Sequence, residues 1–323
     1  MTMKDTIVSF LQGCTGLCAT LSEIYRAVAE GNCEYQAETW HNSVRRSLYT
    51  NQDTFRRVVR GVYMLTGEHS TSVLIEGSGR ELEEIEDDSV DCIITDHPWD
   101  CASSNKGGNR DFATYDTFKY EAADFQAKAR VLKNGAYLCE FLPVESANNW
   151  KYLYAIKTYA EEAGLNYYAS LIWRSAPEGT KNTGRTTKGV QQIIVFSKGK
   201  PRKLSSLSVQ GYQTHTILPY ELEYHVPSQA KYRNHPAERP VELYEYLIKQ
   251  FTEENEVCLD QFGGSCNMLQ AAVNTNRFAI VYEIAKDYIM NAADRFGLAK
   301  LYEAEAEVVS FRIDRNGQLS LAI

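Results

Sequence analysis

The chain has 323 residues, with 34 Lys and Arg against 42 Asp and Glu, and so a formal charge of -8. Hydrophobic residues make up 44% and charged residues 24%, which excludes a mostly disordered or fibrous chain, and the length predicts about two domains. The acidic balance argues against a polyanion bound over the whole surface, so a nucleic-acid partner requires clustered cations.

Eight cysteines at 14, 18, 33, 92, 101, 139, 258 and 266 form no CxxC pair, so neither a metal site nor a disulfide framework is expected. The uncharged stretch from Thr6 to Ser22 is diluted by Gln12, Gly13, Thr15 and Gly16 and follows Asp5, which reads against a signal peptide. No other run approaches the ~18 apolar residues of a membrane span. The expectation is a cytoplasmic protein without a membrane partner.

In chain order, Ile7, Phe10 and Leu11 fit an amphipathic helix. Thr20 then caps a second, with Glu23 completing a capping box and Leu21, Ile24, Tyr25 and Val28 at helical spacing. A third helix is predicted over 38–49, and Phe55 to Leu65 alternates like two strands around Arg60-Gly61. This order resembles a small winged-helix domain, placed at 1–66. Between His41 and Gly61 the cations are Arg45, Arg46, Arg56, Arg57 and Arg60, with Asp53 the one anion. The resemblance implies that the third helix enters the major groove with Asn42, Ser43, Arg45 and Arg46 as its reading face, while the other arginines meet phosphates. The opposing view is a partner-binding domain whose arginines are only solvated.

From Ser72 onward apolar runs alternate with helical patterns. Strands are expected at 73–75, 92–95, 136–141, 168–173, 192–196, 257–259 and 278–282. Helices are expected at about 80–87, 119–132, 147–163, 240–252 and 266–274. The alternation implies an α/β fold, a Rossmann-like sheet with helices on both faces. Ligands in such sheets bind beyond the carboxyl ends of the strands.

Asp96-His97-Pro98-Trp99 follows the strand ending at Thr95 and resembles the Asp-Pro-Pro-Tyr/Trp motif of the DNA amino-methyltransferases. The resemblance implies that the Asp96 carboxylate and the His97 carbonyl hold the two hydrogens of an exocyclic amine. Pro98 would rigidify the turn and Trp99 stack on a base swung out of the helix. The His97 side chain is then either a spectator or a general base. His235-Pro-Ala-Glu-Arg239-Pro resembles the family's His-Pro-x-x-Lys-Pro, and Asp260-Gln-Phe262-Gly263-Gly264-Ser265-Cys266 resembles Asp-x-Phe-x-Gly-Ser-Gly. Glycines there let backbone amides approach a ligand. Glu283, 283 − 260 = 23 residues beyond Asp260, stands where an acidic residue bonds ribose hydroxyls. The implied cofactor is S-adenosylmethionine. Cys266, in place of the third glycine, either crowds its methionine end or points into the helix packing.

The catalytic motif precedes the cofactor motif, which is the permuted order of the β group; the resemblance covers about 72–300. Its methyltransferase domain is placed at 67–323, with a target-recognition insert at about 199–233 and, from Asn316-Gly317, a C-terminal hairpin at about 306–323 that extends an edge or supports a homodimer. From Arg174 to Lys203 eight cations face Glu178 alone, so a mobile loop at 175–189 with Lys181, Arg185 and Lys188 is read as a phosphate clamp. The polar, glycine-rich segment after Trp99 is expected to fold over the substrate. By that resemblance Asp rather than Ser at 96 favours N6 of adenine, and the N-terminal winged helix and the Phe-Gly-Gly-Ser turn favour DNA, expected as a duplex, as the substrate. The alternatives are N4 of cytosine, adenine in RNA, and a non-catalytic DNA-binding regulator.

Overall fold

The computed structural model describes residues 2–13, 18–31, 40–59, 62–65, 72–83, 85–99, 117–175, 181–182, 185–186, 190–204, 221–225, 235, 237–295, 310–313 and 319–322. The chain begins with α1 (Met3–Gly13), β1 (Cys18–Thr20), α2 (Leu21–Glu30), α3 (Trp40–Thr50), β2 (Phe55–Val59) and β3 (Val62–Leu65). The three strands pair antiparallel in the order β1-β3-β2. Ile7 with Leu11, Ile24 with Val28 and Val44 with Leu48 are spaced one helical turn apart, and their faces close on Phe55, Tyr63 and Leu65 in a core of their own. The helices and hairpin agree with the sequence reading. Strand β1 was not foreseen, because three residues are too few to show a period.

The remaining elements are β4 (Ser72–Glu76), β5 (Val90–Thr95), α4 (Ala122–Val131), β6 (Leu132–Pro143), α5 (Trp150–Glu162), β7 (Leu165–Arg174), β8 (Lys181–Asn182), β9 (Arg185–Thr186), β10 (Val190–Lys198), β11 (Glu221–Glu223), α6 (Val241–Phe251), β12 (Val257–Asp260), α7 (Asn267–Asn274), β13 (Phe278–Glu283), α8 (Lys286–Arg295), β14 (Ser310–Ile313) and β15 (Leu319–Ala322). Ten of the strands form one mixed sheet, ordered β11-β7-β10-β6-β5-β12-β13-β4-β14-β15. From β6 to β4 the neighbours run parallel, and β10 runs antiparallel to both β6 and β7. Alternate residues of each strand feed two apolar layers: Cys92 and Ile94 pack with Leu247 and Met268, and Ile93 packs with Phe125 and Ile156. Helices therefore cover both faces, α6 and α7 on one and α4 and α5 on the other. The C-terminal hairpin extends the sheet edge through β14 beside β4. Of the insert at 199–233, β11 adds a parallel edge strand to β7.

Three expectations are corrected. First, the described residues of 80–87 form turns and bends rather than a helix. Leu82 takes a left-handed backbone, φ 57°, and the Arg130 guanidinium donates to the carbonyls of Leu82 and Ile85, groups that a helix would have used internally. Second, the segment read as a loop at 175–189 contains a short antiparallel pair, β8 with β9. Third, the cations between 174 and 203 are not one open strip. Arg174 pairs with Glu221, Lys198 with Asp88 at 2.7 Å, and Arg202 with Glu256 at 2.6 Å.

Phe251 is fully buried at the end of α6, its ring 5.1 Å from that of Tyr137. Replacing it with alanine should cost about 3–5 kcal/mol, read as a lower midpoint in urea denaturation with an unchanged slope.

Candidate active site

Strands β5 and β12 are parallel neighbours, so the residues that follow them leave the sheet on the same rim. Asp96 stands just beyond β5 and Asp260 closes β12. The Oδ2 of Asp96 is ion-paired with Arg239. Its Oδ1 is shut off from solvent and has no hydrogen-bond partner among the described residues. An orphaned carboxylate oxygen of this kind is costly unless a ligand donates to it. Burial pushes the Asp96 carboxyl up to about 6, Glu140 adding to the effect and Arg239 opposing it.

Arg239 itself is held on four sides. It donates to the Ala237 carbonyl at 2.6 Å and to Gln191 Oε1 at 2.9 Å. Its guanidinium carbon lies 4.9 Å from the Trp173 ring centroid and 5.4 Å from that of Phe141. The sequence reading grouped Arg239 with the cofactor segment; the structure also brings it to Asp96.

The rest of the tetrapeptide is fixed from behind. Pro98 accepts a hydrogen bond from the Phe118 amide at 3.1 Å, and the Trp99 indole donates to the Phe141 carbonyl at 3.2 Å. The His97 ring is buried, with Nδ1 3.3 Å from Glu140 Oε1 and Nε2 2.7 Å from the Tyr152 hydroxyl. A general base must reach the ligand it serves; this imidazole is turned into the protein.

At Asp260 the chain enters the glycine turn. Asp260 accepts the Phe262 amide at 3.1 Å and the Tyr244 hydroxyl at 3.1 Å, and burial pushes its carboxyl up to about 7. A β-carbon on Gly263 would lie 2.5 Å from Val281 Cγ1, and Gly264 has φ +51°, so both positions require glycine. Cys266 also adopts a left-handed backbone, φ 54°. This accounts for the glycine in the resembling motif. The Cys266 side chain is fully buried in the apolar layer that also holds Met268 and Leu269. Ser265 is buried and its carbonyl is held by Arg295. Glu283, at the end of β13, accepts the amides of Gly264 at 2.6 Å and Ala285 at 2.7 Å. It therefore clamps the turn. The His235 ring lies against Gly264, and burial with Arg239 nearby draws its pKa down to about 4. Asp96, Asp260, the turn, Glu283, His235 and Arg239 are thus brought together.

The candidate DNA-binding residues lie elsewhere. Asn42, Arg45 and Arg46 are exposed on α3, Ser43 is half-buried, and Arg45 donates to the Tyr25 hydroxyl at 2.7 Å. Arg57 lies 3.5 Å from Glu86, so it is partly neutralised. Arg60, Lys188 and the segment 100–116 fall outside the described residues, as do the side chains of Arg56, Lys181 and Arg185.

Sequence reasoning missed Glu140, Lys128, Tyr152, Gln191 and Tyr244. Two of these left a signal: Glu140 interrupts the apolar run Tyr137-Leu-Cys-Glu-Phe-Leu142, and Lys128 sits between Phe125 and Val131 on α4. Together they form a fully buried pair at 2.7 Å.

The sheet order and the site on its rim define an α/β methyltransferase fold. Residues 90–294 match the family model of DNA methylases, and the chain belongs to that family. It is 26% identical to the type II methyltransferase M.HpaI of Haemophilus parainfluenzae, over 67% of this chain and 71% of that one. It is 31% identical to the DNA adenine methyltransferase YhdJ of Escherichia coli strain K12, over 28% of this chain and 30% of that one. Among solved structures, the cytosine-N4-specific PvuII DNA methyltransferase superposes with a TM-score of 0.51 at 19% identity, covering 69% of this chain and 85% of that one. The M1.HpyAVI–SAM complex superposes at 0.50 and 20% identity, covering 70% and 98%. No helix among the described residues is long and apolar enough to cross a membrane.

Because Arg239 opposes the rise at Asp96, replacing it with Gln should move the Asp96 midpoint upward from about 6. A carboxyl-carbon NMR titration of the Asp96 side chain would show the shift, and an unchanged midpoint would refute the coupling.

Proposed function

We propose that the chain is a β-group DNA methyltransferase specific for N6 of adenine, with Asp96 and the His97 carbonyl as the acceptors that hold the target amine. The observation that carries this is the buried Asp96 Oδ1 without a hydrogen-bond partner among the described residues, on the same rim as the glycine turn. An amine of the base supplies the donor that oxygen lacks. Arg239 fixes the other oxygen, so the carboxylate cannot rotate away from the amine. Trp99, its indole nitrogen engaged by Phe141, is placed to stack on an extruded base.

The residues of the turn fit S-adenosylmethionine, the cofactor of DNA methyltransferases. Two glycine positions admit backbone close to a ligand, and the carboxylates of Asp260 and Glu283 suit a cationic, hydroxyl-bearing one. His235 walls the turn from the α6 side. When bound, the cofactor would supply an electrophilic methyl on a sulfonium, to which the amine nitrogen would bond as the carbon–sulfur electron pair passed to sulfur. The protein's own contribution is placement. Asp96 and the His97 carbonyl orient the nitrogen, the half-buried turn excludes water, and the amine proton leaves for solvent after transfer. No cysteine is required as a nucleophile.

Adenine is favoured by Asp at position 96 and by the named activity of the YhdJ relative; the fold is shared with a cytosine-N4 enzyme and does not discriminate. The N-terminal unit is read as a winged helix. Asn42, Arg45 and Arg46 on the exposed side of α3, a turn apart, would meet duplex DNA there, with Lys181, Arg185 and Lys188 as further phosphate contacts.

Transfer of labelled methyl to duplex DNA followed by nucleoside analysis should yield N6-methyladenine; N4-methylcytosine would reassign the base. Asp96→Ala should lower transfer by at least about a hundredfold while leaving cofactor affinity within a few-fold. Arg45→Ala with Arg46→Ala should weaken DNA binding and reduce its salt slope by about 2, with no change in melting temperature. The pH dependence follows from the raised carboxyls. Asp96 loses its charge as pH falls through about 6, so single-turnover transfer should decline below that value. Asp260 is charged only above about 7, so calorimetric affinity for the cofactor should rise between pH 6 and 8.

A further inference from the structure

Behind the tetrapeptide lies a chain of polar groups that methyl transfer itself does not use. Lys128 on α4, Glu140 on β6 and the ring of His97 are buried among apolar side chains. Lys128 Nζ lies 2.7 Å from Glu140 Oε2, and Glu140 Oε1 lies 3.3 Å from His97 Nδ1. The Tyr152 hydroxyl on α5 is 2.7 Å from His97 Nε2 and accepts the Tyr120 amide at 3.0 Å. The Tyr120 ring centroid stands 3.9 Å from that of His97, and Lys128 Nζ lies over the Tyr120 ring at 3.7 Å.

The hydrogen bonds allow one consistent proton count. A carboxylate at Glu140 can only accept, so the His97 Nδ1 facing it carries the proton, and in a neutral ring Nε2 is left to accept from the Tyr152 hydroxyl. Glu140 is the anion, since Lys128 and His97 together outweigh the upward push of burial and hold it below the usual carboxylate range. Burial lowers His97, which keeps the imidazole neutral. The chain thus runs Lys128 ammonium, Glu140 carboxylate, neutral His97, Tyr152 hydroxyl, Tyr120 amide, with each group matched.

We infer that this chain is a positioning device for the catalytic turn: His97, anchored by Glu140 and Tyr152, fixes with hydrogen bonds the backbone carbonyl that a proline ring would otherwise fix, and ties it to residues 118–120. The same residues contact the tetrapeptide a second time, since the Phe118 amide bonds the Pro98 carbonyl and Phe118 bridges Trp99. Residue 97 therefore transmits the position of α4, β6 and α5 to the point where the amine is held. His97 touches the substrate only through its carbonyl, and its ring acts through the backbone. This role rests on the assignment of Asp96 and the His97 carbonyl as the amine acceptors.

The test compares Tyr152→Phe, which keeps the ring and removes the hydroxyl, with His97→Ala, His97→Asn and Asp96→Ala in the full-length protein. Tyr152→Phe should lower kcat about tenfold, as expected for one lost hydrogen bond at the point of placement, with the KM for DNA and the calorimetric affinity for S-adenosylmethionine within twofold. His97→Asn, whose amide can still donate to Glu140, should recover much of the kcat that His97→Ala loses. Nitrogen-15 NMR of the wild-type protein at neutral pH should show His97 as the Nδ1–H tautomer. Wild-type kcat in Tyr152→Phe, or an Nε2–H or doubly protonated ring, would overturn the positioning role. An inactive Asp96→Ala beside an unaffected Tyr152→Phe would overturn this role alone; full transfer by Asp96→Ala would overturn the site assignment beneath it.

Discussion

The parallel contact between β5 and β12 sets everything else in this protein. The two strands lie far apart in sequence and meet through Cys92 beside Cys258 and Ile93 beside Leu259. At their starting ends Asp91 fastens the pair: its Oδ2 accepts the Val257 amide at 3.0 Å, and its Oδ1 faces Lys133 and Arg202. Arg202 in turn reaches Glu256 at the entrance of β12. At the other end the Gln261 amide donates to Thr95 Oγ1 at 3.4 Å, and the turns beyond Thr95 and Asp260 leave the sheet side by side. Two buried carboxylates, Asp96 and Asp260, are left at the opening. Burial raises both carboxyls; Asp96 adds to the rise at Asp260, while Arg239 opposes the rise at Asp96.

The acidic character of the chain has a local explanation in the same region. The run from Glu81 to Asp91 holds seven acidic residues and no cation. Most of its described members meet cations from distant segments: Glu86 with Arg57, Asp87 with Arg130, Asp88 with Lys198, and Asp91 with Lys133 and Arg202. Several are exposed, so each contributes little to stability alone. Their effect is on where positive potential remains. Several cations that a segment count would assign to DNA are neutralised within the fold, while Arg45 and Arg46 of α3 stay exposed.

Strand and helix periods were strong enough in the sequence to place nearly every element of the large sheet, because strands buried on both faces read as continuous apolar runs and their helices as amphipathic ones. The segment 80–87 failed for a definite reason. Its Leu82 and Ile85 lie at helical spacing, but the helix is opposed by long-range partners: Arg130 takes its carbonyls, and Arg80 leaves to pair with Asp124 at 2.7 Å. Local pattern does not register such tertiary competition. The site was legible where residue type is dictated by backbone, as at Gly263 and Gly264. It was not legible where function depends on side chains meeting from separate strands. Arg239 belongs in sequence to the His235 segment, yet the packing of Phe141 and Trp173 around its guanidinium turns it toward Asp96.

His97 shows how a departure from a motif is absorbed. A proline restricts its own φ and the residue before it without needing neighbours. A histidine does not, and its ring must be placed somewhere. Here it enters the layer between β6, α4 and α5, where an unpaired imidazole would be costly. Glu140 and Tyr152 satisfy its two nitrogens, and the buried Glu140 in turn requires Lys128. Removing one member of such a series strands the others, so the four residues stand or fall as a unit. The histidine at position 97 is therefore held by an interior that matches it, with the buried Lys128 and Glu140 as its physical counterpart.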